Sequence, residues 1–200
     1  MQTSNNATSA ENQQERLVNL GWVLGFVDGE GCFSINFIKQ ADRQESERIR
    51  RGYKLGLQVA HEFAVTQGES SKPSLIKLKK FFGVGEIYIN KRYDNHKEHL
   101  FRYTVRKKVD LLNVIIPFFE KHMLRTNKYK NFKLFAKCVN MINRKEHLTQ
   151  NGLLKILKIS ESMNHKKPKT NLIRILRNHT PNPKLVAGAT SRREDRVRSV

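Results

Sequence analysis

Only two cysteines, Cys32 and Cys138, stand among 200 residues, which excludes a disulfide framework and a cysteine zinc quartet. Long apolar runs are missing as well. The longest, around Trp22–Phe26 and Val114–Phe119, fall far short of the roughly 18 residues that a bilayer-spanning helix needs. The first fifteen residues have no apolar core and no basic leader, and Glu11 and Glu15 precede the first arginine. No secretory signal or transit peptide is expected there, and a reduced, intracellular protein is. Acidic residues are scarce: 18 Asp and Glu face 38 Lys and Arg, a formal charge of +20, with a pI near 10.2. Such a field attracts a polyanion, either nucleic acid or an anionic membrane surface. Hydrophobic residues, at 38%, suffice for one core.

The chain divides by pattern. Residues 1–15 are polar and Asn/Gln-rich, and are expected to be disordered. Residues 16–166 carry the periodic signals of one domain, and 167–200 form a basic extension, expected to be partly disordered. Leu17, Leu20, Leu24 and Val27 repeat at helical spacing along one face, with Gly29 and Gly31 ending that helix. Cys32–Ile38 alternates as a strand, and a charged loop, Ala41–Arg51, leads to a second alternating run. There Leu55, Leu57, Val59, His61, Phe63 and Val65 share one face, and Gln58, Ala60, Glu62 and Ala64 the other. His61 is expected to be a satisfied core histidine. Pro73 opens a short helix that Gly83 closes. A hairpin over 85–106 turns around Asp94-Asn95-His96, and a helix over 110–119 is expected to kink or break at Pro117. Two further helices follow from Phe132, Phe135, Ala136, Val139 and Ile142, and from Leu153, Ile156, Leu157, Ser160 and Met163.

An α+β fold results, with a four-stranded antiparallel sheet buried on one face by helices. The other face is left to Ser34, Asn36, Ile38, Gln40, Gln58, Tyr88, Asn90, Arg92, Arg102 and Thr104. Such side chains either read base edges in a DNA major groove or form an ordinary wet sheet surface. Residues 121–184 hold 16 Lys and Arg against two acids, Glu146 and Glu161, and this block is expected to contact phosphates.

The first helix carries the sharpest motif. Gly21, Gly25 and Gly29 recur every four residues and bare a stripe on which two helices can approach closely. Asp28 and Glu30 sit at the helix C-terminus, where the macrodipole disfavours acids. Either they coordinate a hard cation such as Mg²⁺ or they are solvated acids at a glycine stop.

The run Trp22-Val23-Leu24-Gly25-Phe26-Val27-Asp28-Gly29-Glu30-Gly31-Cys32-Phe33 resembles the signature helix of the LAGLIDADG homing endonucleases. So, in order, do Ala64-Val65-Thr66-Gln67, Leu78-Lys79-Lys80-Phe81-Phe82-Gly83-Val84-Gly85, Ile116-Pro117-Phe118-Phe119, Leu124-Arg125-Thr126-Asn127-Lys128 and Ser162-Met163-Asn164. The resemblance spans about residues 17–165. It implies the αββαββα fold and site-specific double-strand cleavage of a long pseudo-palindromic DNA. The reaction is metal-dependent phosphodiester hydrolysis with Mg²⁺ or Mn²⁺, and it leaves 3′ overhangs. It also implies that Glu30 binds the metal, with the Gly29 carbonyl nearby. Gln67 positions water or metal, and Lys128 assists the phosphate charge, with Arg125 and Lys130 as rivals. Asp28 tidies the helix end. One signature helix implies a homodimer joined through Gly21, Trp22, Gly25, Phe26 and Asp28. An intron RNA maturase, binding its own intron, or a non-catalytic DNA-binding protein on the same scaffold are the alternatives. Lys, Asn and Ile richness hints at an organellar genome.

Overall fold

The computed structural model describes residues 3–39, 43–45, 48–50, 52–53, 55–91, 98–164 and 169–178. A long helix α1 (Thr3–Glu30) runs directly into strand β1 (Gly31–Lys39). The unstructured segment expected over 1–15 is therefore replaced by helix from Thr3. Its Ala, Glu, Gln and Arg residues are good helix formers, and adding turns to an anchored helix needs no new nucleus. The change from helix to strand is abrupt because Gly31 has no side chain. A Cβ there would lie 2.6 Å from Val27 Cγ1 and 2.7 Å from the Val27 carbonyl oxygen.

The main sheet has the order β1-β4-β6-β5, all antiparallel, where β4 is Leu57–Gly68, β5 Glu86–Asn90 and β6 Leu100–Val105. Within the expected 41–51 loop, two short strands, β2 (Arg43–Glu45) and β3 (Arg48–Arg50), pair as a separate ribbon. Helix α2 (Lys72–Phe82) begins with a proline in its first turn and stops at Gly83, which takes the left-handed conformation (φ +68°) favoured by glycine. The hairpin tip at Asp94-Asn95-His96 lies outside the described residues.

Pro117 does not break its helix. Residues Lys108–Asp110 (α3), a π-helical turn Leu111–Ile115 and Ile116–Lys121 (α4) follow one another without interruption. The wider turn just before Pro117 relieves the demand for the N–H that proline lacks. Helices α5 (Lys128–Asn143) and α6 (Gln150–Glu161) complete the cover.

Phe33, on β1, centres the core: its ring lies 5.0–5.5 Å from those of Phe63, Phe119, Phe132 and Phe135. Cys138, on α5, is buried there and its thiol is pushed up to about 12 by desolvation, as suits a small hydrophobe. Asn164 donates its side-chain amide to the Phe33 carbonyl at 3.1 Å, pinning the end of α6 to the sheet. A second apolar cluster joins Leu55, Leu57, Leu153 and Leu157 to Leu176 of α7 (Thr170–Asn178). Within the extension expected to be partly disordered, Thr170–Asn178 is thus a packed helix. The charged tail after 178 lies outside the described residues.

His61 departs from expectation. It is half-buried on the core face, but both ring nitrogens are enclosed without a hydrogen-bond partner among the described residues. Burial first, then the charges of Lys108 and His147, hold its pKa below the ordinary value, so the ring stays neutral.

Candidate active site and nucleic-acid interface

Which face of α1 points inward decides what the glycines are for. Val23 and Val27 are fully buried, whereas Leu17 and Val18 are 62% and 64% exposed. The face expected to join Leu17, Leu20, Leu24 and Val27 is therefore split along its length: Val27 is buried and Leu24 half-buried against the core, whereas Leu17 is exposed. Among the described residues, a Cβ at Gly21, Gly25 or Gly29 would meet no atom within 4 Å, so none of them fills the bare stripe. A groove of about 780 Å³ runs along it, bounded by Gly21, Leu24, Gly25 and Asp28 on α1 and by Met123 and Arg125 opposite. Trp22 and Phe26 instead stack on each other at 5.2 Å and lie half-buried against the core. The Lys77 ammonium sits 4.6 Å above the Trp22 ring.

Asp28 is committed within the chain. Its carboxylate accepts the backbone N–H of Arg125 at 2.8 Å and the Thr126 hydroxyl at 2.6 Å. It thereby fixes the α4–α5 connection against the end of α1. Burial alone would raise its pKa, but the hydrogen bonds from Thr126 and Arg125 and the Lys128 charge bring it below the ordinary value. A depressed carboxyl contributes stability above its unfolded pKa, and that contribution is lost as pH falls through the folded value. Thermal melts should therefore show wild type losing stability below about pH 4 more steeply than Asp28→Asn. Parallel curves would mean that the carboxylate anchors nothing.

The anchored connection delivers Lys128. Its ammonium donates to the Gly29 carbonyl at 2.7 Å, beside exposed Glu30. Burial lowers the Lys128 pKa, opposed by the negative charges of Asp28 and Glu30. Of its rivals, Arg125 meets Asp28 through its backbone N–H, and Lys130 is exposed two residues further on. Gln67 is half-buried at the end of β4. It pairs with Phe101, so it shares the core-face parity, not the outer one. Val65, two residues earlier, pairs with Gly31, which sets Gln67 on an inner strand at the end of the sheet nearest the C-terminus of α1.

The donor set at that end is oxygen-rich. The Glu30 carboxylate and the Gly29 carbonyl are hard ligands of the kind Mg²⁺ takes. Among the described residues no three His, Cys, Asp or Glu side chains converge.

On the outer sheet face, Ser34, Asn36, Ile38, Tyr88, Asn90 and Arg102 are exposed or half-exposed, and Gln58 is half-buried. Asn36 reaches the Ser34 hydroxyl at 3.5 Å. Thr104 is a correction: it has the right parity but is only 3% exposed, a short side chain on an inner strand between Ala64 of β4 and Glu86 of β5. Gln40 and Arg92 lie outside the described residues.

The pattern alone did not single out Glu62, Thr66 and Arg106 on the same face. The Glu62 carboxylate pairs with both Arg102 and Arg106. Alternation placed Glu62 outward, but its partners depend on the register between β4 and β6.

Phe132, Phe135, Ala136 and Val139 of α5 are buried in the core beneath β1, which turns exposed Lys133 and Lys137 away from the outer face.

A family model described as LAGLIDADG endonuclease matches residues 23–139. A probable intron-encoded endonuclease of Neurospora crassa is 30% identical over 148 residues, covering 74% of this chain and 29% of that protein. A probable intron-encoded DNA endonuclease of Mycosarcoma maydis is also 30% identical, covering 72% of this chain and 46% of its own. The chain thus spans between a quarter and a half of these curated relatives. Among solved structures, the homing endonuclease I-TnaI is 37% identical with a TM-score of 0.63, covering 79% of this chain and 95% of that one. I-SmaMI, bound to an uncleaved DNA target in the presence of calcium ions, is 34% identical with a TM-score of 0.61, covering 80% and 49%.

Proposed function

This chain belongs to the LAGLIDADG endonuclease family, and we propose that it is itself a site-specific double-strand DNA endonuclease that works as a homodimer. The observation that carries the reading is the convergence at the end of α1 of the Glu30 carboxylate, the Gly29 carbonyl and the Lys128 ammonium. The open glycine stripe supports pairing. Two copies joined along Gly21 and Gly25 would bring their Glu30 carboxylates together beside one duplex, and two-fold symmetry then implies a long pseudo-palindromic site.

In this mechanism Glu30 and the Gly29 carbonyl hold a divalent cation, Mg²⁺ or Mn²⁺. When bound, it supplies an acidified water and neutralises phosphate charge. Lys128 holds its positive charge where the phosphorane charge develops, and its bond to the Gly29 carbonyl orients it. Gln67, at the neighbouring end of the sheet, orders the attacking water. The P–O3′ bond breaks, so the products are a 5′ phosphate and a 3′ hydroxyl, with short 3′ overhangs from cuts across the minor groove. The outer sheet residues read bases while cations at the site edge hold the backbone. Intron-encoded relatives and Lys/Asn/Ile richness support an intron of an organellar genome as the gene's location. No described helix is long and apolar enough to cross a membrane.

The test is digestion of a plasmid library in Mg²⁺ against a chelator control. Linear products only with metal are expected. Tight binding of intron RNA with no nicking would replace this reading by the maturase. A second measurement asks which face meets DNA. Neutralising Lys133 and Lys137 should leave the slope of log K against log salt unchanged. A fall of about 0.9 per residue would put the duplex across the helices instead.

A further inference from the structure

Glu62 is an acid where an acid is unwelcome. It stands on the outer sheet face, opposite Ser34 of β1, yet it is only 9% exposed. A buried carboxylate facing a polyanion repels phosphate and is costly to desolvate unless paired. Both of its oxygens are paired: Oε1 accepts from Arg102 Nη2, and Oε2 accepts from Arg106 Nε at 2.5 Å. Arg102 is held a second time by Nη1 donating to the Thr66 hydroxyl at 3.4 Å. Arg106 is held a second time by its guanidinium lying 5.6 Å above the Tyr88 ring. The side chains remain 39% and 60% exposed, so neither arginine is sealed into the fold.

A guanidinium has five N–H donors in a rigid fork. The bonds to Glu62 and Thr66 use two from Arg102, and the bond to Glu62 uses one from Arg106. The remaining donors are available to a ligand in an orientation fixed before it arrives. An arginine so ordered loses little further rotamer freedom on binding. A bidentate arginine against O6 and N7 of guanine is the commonest base-specific contact in a major groove.

We infer that Glu62 is a positioning residue for sequence readout, fixing Arg102 and Arg106 as two pre-oriented guanine readers on the sheet. The inference rests on the proposed reading of this face as the DNA surface. One carboxylate between two guanidiniums also leaves one net positive charge, so the cluster still attracts the duplex.

The experiment is selection from a duplex library randomised over the site, with wild type, Glu62→Gln, Glu62→Asp and Arg102→Ala/Arg106→Ala. Nonspecific affinity is measured on a duplex of unrelated sequence, and folding by thermal melting. Wild type should select guanine at the contacted positions. Glu62→Gln should lose about 10- to 100-fold of that preference, the value of one good bidentate contact, with nonspecific affinity kept or tightened. Glu62→Asp keeps the charge but withdraws the carboxylate, and should lose the preference too; it carries the test if the glutamine variant does not fold. In the Arg102→Ala/Arg106→Ala background, Glu62→Gln should change selection no further. Full guanine preference in a folded Glu62→Asp overturns the inference, because Glu62 then only balances charge. Unchanged affinity and selection in Arg102→Ala/Arg106→Ala overturns it differently, because the sheet face itself is then not the DNA surface.

Discussion

Glu30→Gln should abolish cleavage while leaving DNA binding intact. Glu30 is exposed at the end of α1, and the described structure shows it holding no part of the fold. Its removal therefore takes a metal ligand and little else. Replacing the carboxylate by an amide keeps the shape and deletes the charge that binds a cation. Loss of metal-derived charge stabilisation is worth several kcal/mol, so the single-turnover rate should drop at least about 10³-fold. Dissociation constants measured in Ca²⁺ or without metal should stay within a few-fold of wild type. A variant that still cuts would exclude Glu30 from the metal site. The neighbouring acid should behave differently: Asp28 is engaged with Arg125 and Thr126, so its replacement should lower thermal stability together with activity.

Filling the glycine stripe should separate folding from function even more sharply. Gly21→Ala with Gly25→Ala adds two methyl groups where nothing lies within 4 Å among the described residues. Each replacement removes the helix penalty of glycine, so the isolated chain should gain up to about 1 kcal/mol per site. If two copies of α1 meet backbone to backbone, the same methyl groups overpack their contact at about 1–3 kcal/mol. Two-fold symmetry applies that cost twice, weakening pairing on the order of 10²-fold or more. Sedimentation should show a folded, more stable monomer, and double-strand cleavage should disappear at concentrations where wild type is paired. An undiminished dimer would place the subunit contact elsewhere.

Local signals made most of the fold legible. Strict alternation fixed the faces of β1 and β4, a first-turn proline and a following glycine bounded α2, and helical spacing found α5 and α6. The face of α1 could not be found in this way. Leu17, Leu24, Val23 and Val27 are equally apolar, and hydrophobicity does not tell a core face from a face meant for another molecule. Pro117 pointed to a break because a π-helical turn leaves no mark in composition. Helix α7 was missed because Leu172, Ile173 and Leu176 are set among polar residues with no cap to announce them. At the site, Glu30 stood out as an acid at a helix C-terminus, whereas Lys128 stood out only through its resemblance to a family motif. The contacts that position them join residues nearly a hundred apart, as do Asp28 with Thr126 and Lys128 with Gly29. Spacing cannot foresee such pairs. Glu62 with Arg102 and Arg106 depends on the β4–β6 register, set by a connection that includes a helix and another strand.

Mapping both strands of every cut end in a plasmid-library digest, with folded protein of known oligomeric state and Mg²⁺, tests the central claim most directly. The account predicts one class of site with two-fold symmetry, and cuts offset across the minor groove to leave 3′ overhangs with 5′ phosphates. Breaks without a common sequence, or none at all from a folded dimer, would contradict it.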